Sequence, residues 1–131
     1  MNIGELAQLT GVSRRSLRYY EQQGLLCAER DPHGYRRYGP DAAGAVARIR
    51  ALLAAGLSTD VIRGILPCVS GADPIELTLC PELVHTIRRE LAEMDARIEE
   101  LRCSRSALAG YLPGRYPDPS PPITASTSSP A

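Results

Sequence analysis

Residues Asn2–Leu25 read NIGELAQLTGVSRRSLRYYEQQGL. Asn2 followed three residues later by Glu5 is an N-cap and capping-box pair for a first short helix. Gly11 ends that helix, and Ser13 caps a second one. Leu6, Leu9, Val12, Leu17 and Tyr20 are expected to pack inward, leaving Arg14, Arg15 and Arg18 on an outward face. A helix that begins with free backbone amides and carries three arginines is suited to meet phosphate.

Two short helices joined by a tight turn containing glycine make a helix-turn-helix unit. Beyond it, Leu26-Cys27-Ala28 reads as a short strand, Glu29 to Gly34 as a loop around Asp31-Pro32, and Tyr35-Arg36-Arg37-Tyr38 as the return strand. Such a hairpin is too short to stand alone and must lean on the helices. Its alternation of Tyr and Arg supplies ring platforms, hydroxyls and fork-shaped donors for phosphate, in the position of a wing.

Pro40-Asp41 opens another helix, with Ala42, Val46, Ile49 and Leu53 as its apolar stripe, extended by Ala45 and Leu52. Gly56 ends it. Ser58 caps a shorter helix through Leu66, with Val61, Ile62 and Ile65 inward, and Pro67 stops it. Arg48, Arg50 and Arg63 on these helices read as solvated, with backbone phosphate as the other use for each.

Residues 67–80 read as a connecting loop, and Pro81 opens the longest regular element. Its apolar positions fall at Val84, Ile87, Leu91, Met94, Ile98, Leu101, Leu108 and Leu112, alternating steps of three and four, with Arg105 the one break. That is a four-heptad coiled-coil pattern. Some 32 residues make roughly 48 Å of helix, too long for the short helices before it to cover, so a second copy is the natural partner. From Pro113 the chain holds six prolines and a Ser/Thr run without periodicity, the composition of a disordered tail.

The fold expected is therefore mainly α. A winged helix-turn-helix head spans 1–66, a connecting loop 67–80, a coiled-coil dimerisation helix 81–112 and a Pro/Ser/Thr-rich tail 113–131.

The chain of 131 residues has no Trp or Phe and zero net charge. Neutrality alone argues against a nucleic-acid binder, but residues 1–66 hold nine Arg against six acids and the remainder six Arg against nine. A basic front half suits a binding head. No apolar run approaches a membrane span and no signal-peptide pattern opens the chain, so the expectation is a cytoplasmic protein without a membrane partner. His33 and His85 sit in no catalytic spacing, which argues against an enzyme.

The text MNIGELAQLTGVSRRSLRYYEQQGLL, then GYRRY, the helix pair through Leu66 and the long apolar-striped helix resemble the MerR family of winged helix-turn-helix transcriptional regulators, over about residues 1–112. The resemblance implies a homodimer joined by an antiparallel coiled coil, with its heads in successive major grooves of a palindromic operator. It implies a promoter spacer bent and underwound for RNA polymerase, and an effector that switches the protein near the dimer helix. Carried over by position, Ser13, Arg14 and Arg15 approach base edges, while Arg18 with Tyr19 or Tyr20 grips phosphate. Arg36 and Tyr38, with Tyr35 beside them, serve the wing's backbone contacts. Tyr19 and Tyr20 are adjacent and cannot share one face. The spacing to Leu17 and Leu25 favours Tyr20 in the core, although the family pattern involves both.

The effector is less legible. The family's drug sensors carry a large C-terminal ligand domain, for which this sequence offers no counterpart after Leu112. Its metal sensors place one cysteine at the start of the dimer helix, matched by Cys80, and a pair beyond it. Here Cys103 stands alone inside the helix, and the four-cysteine cluster of the iron–sulfur branch has no match. Cys68 and Cys80 bracket the loop feeding the dimer helix, with His85 close by. They are open to three readings: inert, a reversible disulfide, or ligands for Zn(II) or Cu(I). Cys27 reads as structural. An effector-independent architectural DNA-binding protein is the remaining alternative.

Overall fold

The computed structural model describes residues 1–119. Two compact units are formed by Met1–Glu90 and Leu91–Ala131. The first begins with helix α1 (Ile3–Thr10) and helix α2 (Arg14–Gln22). Asn2 and Glu5 exchange side-chain and backbone hydrogen bonds at 2.8 and 3.0 Å, so the capping box is present. Gly11 stops α1 at φ 73°, a left-handed conformation that costs glycine little.

Leu9, expected inward, is 64% exposed. The inward stripe of α1 runs through Ile3, Leu6, Ala7 and Thr10 instead, and one helical face of that width turns Leu9 to solvent. Leu6, Val12, Leu17 and Tyr20 are buried as expected.

The wing is the antiparallel pair β1 (Glu29–Arg30) and β2 (Arg36–Arg37), in register Glu29↔Arg37 and Arg30↔Arg36. Its first strand lies beyond Leu26-Cys27-Ala28. Leu25 and Leu26 are both drawn into the core, so the chain becomes free to pair only at Glu29. Cys27 is exposed and outside the ladder.

Helix α3 (Ala42–Ala54) buries Ala42, Val46, Ile49 and Leu52, with Leu53 at the margin. Helix α4 (Thr59–Ile65) is capped by Ser58, whose hydroxyl accepts from the Val61 amide, and buries Ile62 and Ile65. Leu6, Leu17, Val46, Ile49 and Ile62 form the fully enclosed centre, an aliphatic core that does without Phe or Trp.

The segment 67–80 is more than a loop. After a 3-10 turn at Leu66–Cys68, strands β3 (Val69–Gly71) and β4 (Ile75–Leu77) form a second hairpin. Gly71 has φ 74°, and a Cβ there would lie 2.8 Å from the Pro74 carbonyl, so the turn requires glycine.

Helix α5 runs from Pro81 to Ala109, three residues short of the expected end at Leu112. Gly110 follows, and a turn through Leu112 closes the element. Cys80 caps its start: the thiol accepts from the Leu83 amide at 3.4 Å, and the Cys80 carbonyl accepts from Val84. Leu83, outside the heptad series, is the buried residue of this helix, 2% exposed in the head's core.

In the second unit Leu91, Ile98, Leu101 and Leu108 are exposed on α5. Arg105, the break in the series, turns onto the segment after the helix. It donates to the Pro117 carbonyl at 2.7 Å, lies 3.6 Å from the Asp118 carboxylate and stacks 4.9 Å over the Tyr116 ring. The tail's remaining residues, 120–131, fall outside the described part.

Candidate nucleic-acid interface

Helix α2 is built to present one face. Ser13 accepts from the Ser16 amide at 3.1 Å, which fixes the first turn. Leu17 and Tyr20 lock the other side into the core. Arg14, Arg15, Arg18 and Tyr19 are consequently exposed. The adjacent tyrosines divide, Tyr20 inside at 8% exposure and Tyr19 outside at 47%. Arg14 lies across the start of α1, where a Cβ on Gly4 would sit 2.7 Å from its guanidinium.

The nine arginines of the head fall into two sets. Arg30 donates to the Gly34 carbonyl, Arg36 pairs with Glu21, and Arg37 pairs with Asp31. Arg48 reaches the Gly71 carbonyl, Arg50 the Thr10 carbonyl, and Arg63 the Gln23 carbonyl and Asp60. Arg50 and Arg63 are exposed, as expected of solvated arginines, and Arg48 is partly so; each of the three also bonds from its helix to another element. Among the described residues Arg14, Arg15 and Arg18 alone of the nine have no hydrogen-bonding protein partner. All three lie on one helix.

The wing's tip is organised by Asp31, which accepts from the His33 and Tyr35 amides at 2.9 and 3.0 Å and from Arg37 at 3.2 Å. The Tyr35 amide first, with Arg37 adding to it, holds the Asp31 carboxyl below the ordinary carboxylate range. Tyr35 stands 69% exposed at this tip. Tyr38 differs from its expected place on the outer wing: it is 3% exposed, and its hydroxyl donates to Glu21 at 3.1 Å. Burial, and then that carboxylate, raises the phenol above its usual value, so it remains a donor at neutral pH. Arg36 is half-buried, its Nε 2.7 Å from Glu21. Glu21, unmarked in the sequence reading, thus joins the wing to α2.

The two cysteines flanking the second hairpin also meet. Val69 pairs with Leu77, the Thr78 amide donates to the Cys68 carbonyl at 2.8 Å, and Cys80 follows two residues on. Burial, and then the neighbouring Cys80, pushes the Cys68 thiol up. Both side chains are partly buried, whereas Cys27 and Cys103 are exposed. No three His, Cys, Asp or Glu side chains gather as a metal would need among the described residues.

An arginine helix standing out from an aliphatic core, with a braced hairpin beside it, defines a winged helix-turn-helix DNA-binding head. Residues 1–67 match the MerR HTH family regulatory protein model, and the chain belongs to the MerR family of DNA-binding transcriptional regulators. It is 48% identical over 113 residues to nodulation protein NolA of Bradyrhizobium elkanii, covering 86% of this chain and 47% of that one. The chain therefore spans about half the length of that relative. The HTH-type regulator HmrR of Rhizobium leguminosarum bv. viciae is 32% identical over 111 residues, covering 82% and 81% of the two chains. Among solved structures, the regulator PbrR691 of Ralstonia metallidurans CH34, in complex with lead(II), superposes with a TM-score of 0.70 at 28% identity, covering 82% of each chain. No helix of the described residues is long and apolar enough to cross a membrane.

Proposed function

We propose that the chain acts as a homodimer on a palindromic promoter element, bending and underwinding the spacer so that RNA polymerase can engage it, and that oxidation of Cys68 and Cys80 switches its output. The observation that carries the DNA half is the outward set of three unpartnered arginines on an N-capped helix. In this reading Ser13, Arg14 and Arg15 address base edges, and Arg18 and Tyr19 address phosphate. Arg36 and Tyr35 extend the contact from the wing. Tyr20 and Tyr38 contribute by packing and by orienting their neighbours.

The exposed apolar positions Leu91, Ile98, Leu101 and Leu108 favour a second copy as the partner, in an antiparallel coiled coil completed by Val84, Ile87 and Met94. The switch rests on Cys68 and Cys80 lying across the base of a hairpin that leads into α5. Hydrogen peroxide would take two electrons and two protons from the thiols, leaving one S–S bond and two waters. A metal-responsive form of the same site, with Zn(II) or Cu(I) on these thiolates, is favoured by the lead(II) complex of PbrR691. Two thiolates fall short of the three or four ligands of a closed zinc site, so oxidation is the preferred reading.

The test is a binding titration on the palindromes beside the chain's own gene, with reduced, peroxide-treated and metal-loaded protein, read alongside transcription. Occupancy in every state with output altered only after peroxide, and lost in the Cys68→Ser, Cys80→Ser variant, is the expected result. Identical output in all states would overturn the thiol and metal switches and leave a MerR-type regulator whose effector is an organic molecule, or which has none.

A further inference from the structure

We propose that Glu21 is a positioning residue for DNA binding, an acid that strengthens the grip on a polyanion by fixing the wing against the recognition helix. The proposal rests on the DNA-binding reading of the head and goes beyond it.

Glu21 lies near the end of α2, the helix that carries the three free arginines. An acid there is unfavourable on electrostatic grounds alone, since it opposes phosphate. Its two oxygens, however, are both engaged with the wing. Oε2 accepts from Arg36 Nε at 2.7 Å and Oε1 from the Tyr38 hydroxyl at 3.1 Å. The ladder between β1 and β2 is only two residue pairs long, too short to set the hairpin's direction by itself. The Tyr38 amide adds a bond to the Met1 carbonyl at 2.7 Å, and the Tyr38 ring is sealed in the core. The orientation of β2 therefore depends on few contacts, of which Glu21 supplies two.

The geometry at Arg36 gives the reason an acid serves here. A guanidinium has five donors in a rigid fork. Glu21 takes the Nε donor, and among the described residues the terminal Nη groups have no protein acceptor. The side chain is anchored at its neck with its outer donors free, which removes rotamer entropy before phosphate arrives. The charge on Glu21 is meanwhile matched by Arg36.

The test uses the full chain on two duplexes, one of random sequence and one carrying the palindrome beside its own gene, each titrated across salt concentrations. Glu21→Ala is expected to weaken binding to both by about tenfold and to lower the salt slope by about one phosphate contact. Glu21→Gln, which keeps one acceptor oxygen, recovers part of that loss. In an Arg36→Ala, Tyr38→Phe background Glu21→Ala should cost nothing, because both of its partners' donors are gone. Thermal melts accompany each variant, and Glu21→Gln carries the comparison if Glu21→Ala melts early. Equal or tighter binding by Glu21→Ala and Glu21→Gln, with an unchanged or steeper salt slope, would overturn the proposal and leave Glu21 a simple repulsive charge. An unsubstituted chain that bound neither duplex would instead overturn the DNA-binding reading itself.

Discussion

Replacing Leu101 by Ala tests the homodimer at a position where the size of the effect can be worked out beforehand. Leu101 lies on α5 and is 69% exposed in the single chain. Complete burial of a leucine side chain stabilises by about 1.5–3 kcal/mol, so roughly two-thirds of that, about 1–2 kcal/mol, is still to be gained. A symmetric dimer contains the residue twice, so the truncation should cost about 2–4 kcal/mol of association. At about 1.4 kcal/mol per decade this is a roughly 30- to 700-fold rise in the dimer dissociation constant. Alanine is a strong helix former, so α5 itself should persist. Sedimentation equilibrium reads the constant directly, with Glu99→Ala, on the opposite face, as control. Equal dissociation constants for Leu101→Ala and the unsubstituted chain would refute the assignment of this stripe to a dimer seam.

Arg18→Ala should weaken binding to all duplexes alike and reduce the salt slope, whereas Arg15→Ala should relax discrimination at one base position per half-site, by about 1–3 kcal/mol. Competition with base-substituted duplexes separates the two, and identical behaviour would sink the division of roles. Arg36→Lys should behave nearly as Arg36→Ala in duplex titrations, because a single ammonium cannot serve Glu21 and phosphate with the fixed fork that Arg36 offers. Cys68 should alkylate more slowly than exposed Cys27 and Cys103 near neutral pH, by mass spectrometry of reduced protein. Its raised thiol favours the neutral form in the fold, so any stability it adds is present below the ordinary thiol value and lost as pH climbs through the raised one. Ile62→Ala, at 0% exposure in the core, should destabilise the head by about 2–5 kcal/mol in denaturant titration.

Local signals carried much of the head. Asn2 with Glu5, Gly11, Ser13 and Ser58 act through bonds spanning three or four residues, so their partners are visible in the sequence itself. The long helix α5 was legible for the same reason, since its apolar period runs along one element. What escaped was long-range. Glu21 meets Arg36 and Tyr38 across 15 and 17 residues, and Arg63 meets Gln23 across 40, and no local spacing encodes those meetings. The wing's register depended on how far Leu25 and Leu26 were pulled into the core. Leu83 is hidden from the heptad pattern because it lies outside the three-four series, in the first turn of α5, which serves the head. The second hairpin left its signal in Gly71 and Pro74 between two β-forming runs, but three-residue strands are short enough to read as loop.

The arginine distribution resolves the conflict between a neutral chain and a polyanionic partner. Net charge describes the far field, but binding depends on donors that are both oriented and unspent. With no Phe or Trp to widen the contact between small helices, the head ties its elements with guanidinium struts. Arg48 joins α3 to the second hairpin, Arg50 reaches the end of α1, and Arg63 closes over the end of α2. Each strut commits one to three of its five donors to a protein acceptor. The bond stiffens the frame that holds α2. The head's arginines with no protein partner among the described residues are gathered on α2, the helix whose Glu21 also holds Arg36 by its Nε. A head with the same nine arginines all unpartnered would attract DNA more broadly and orient it less.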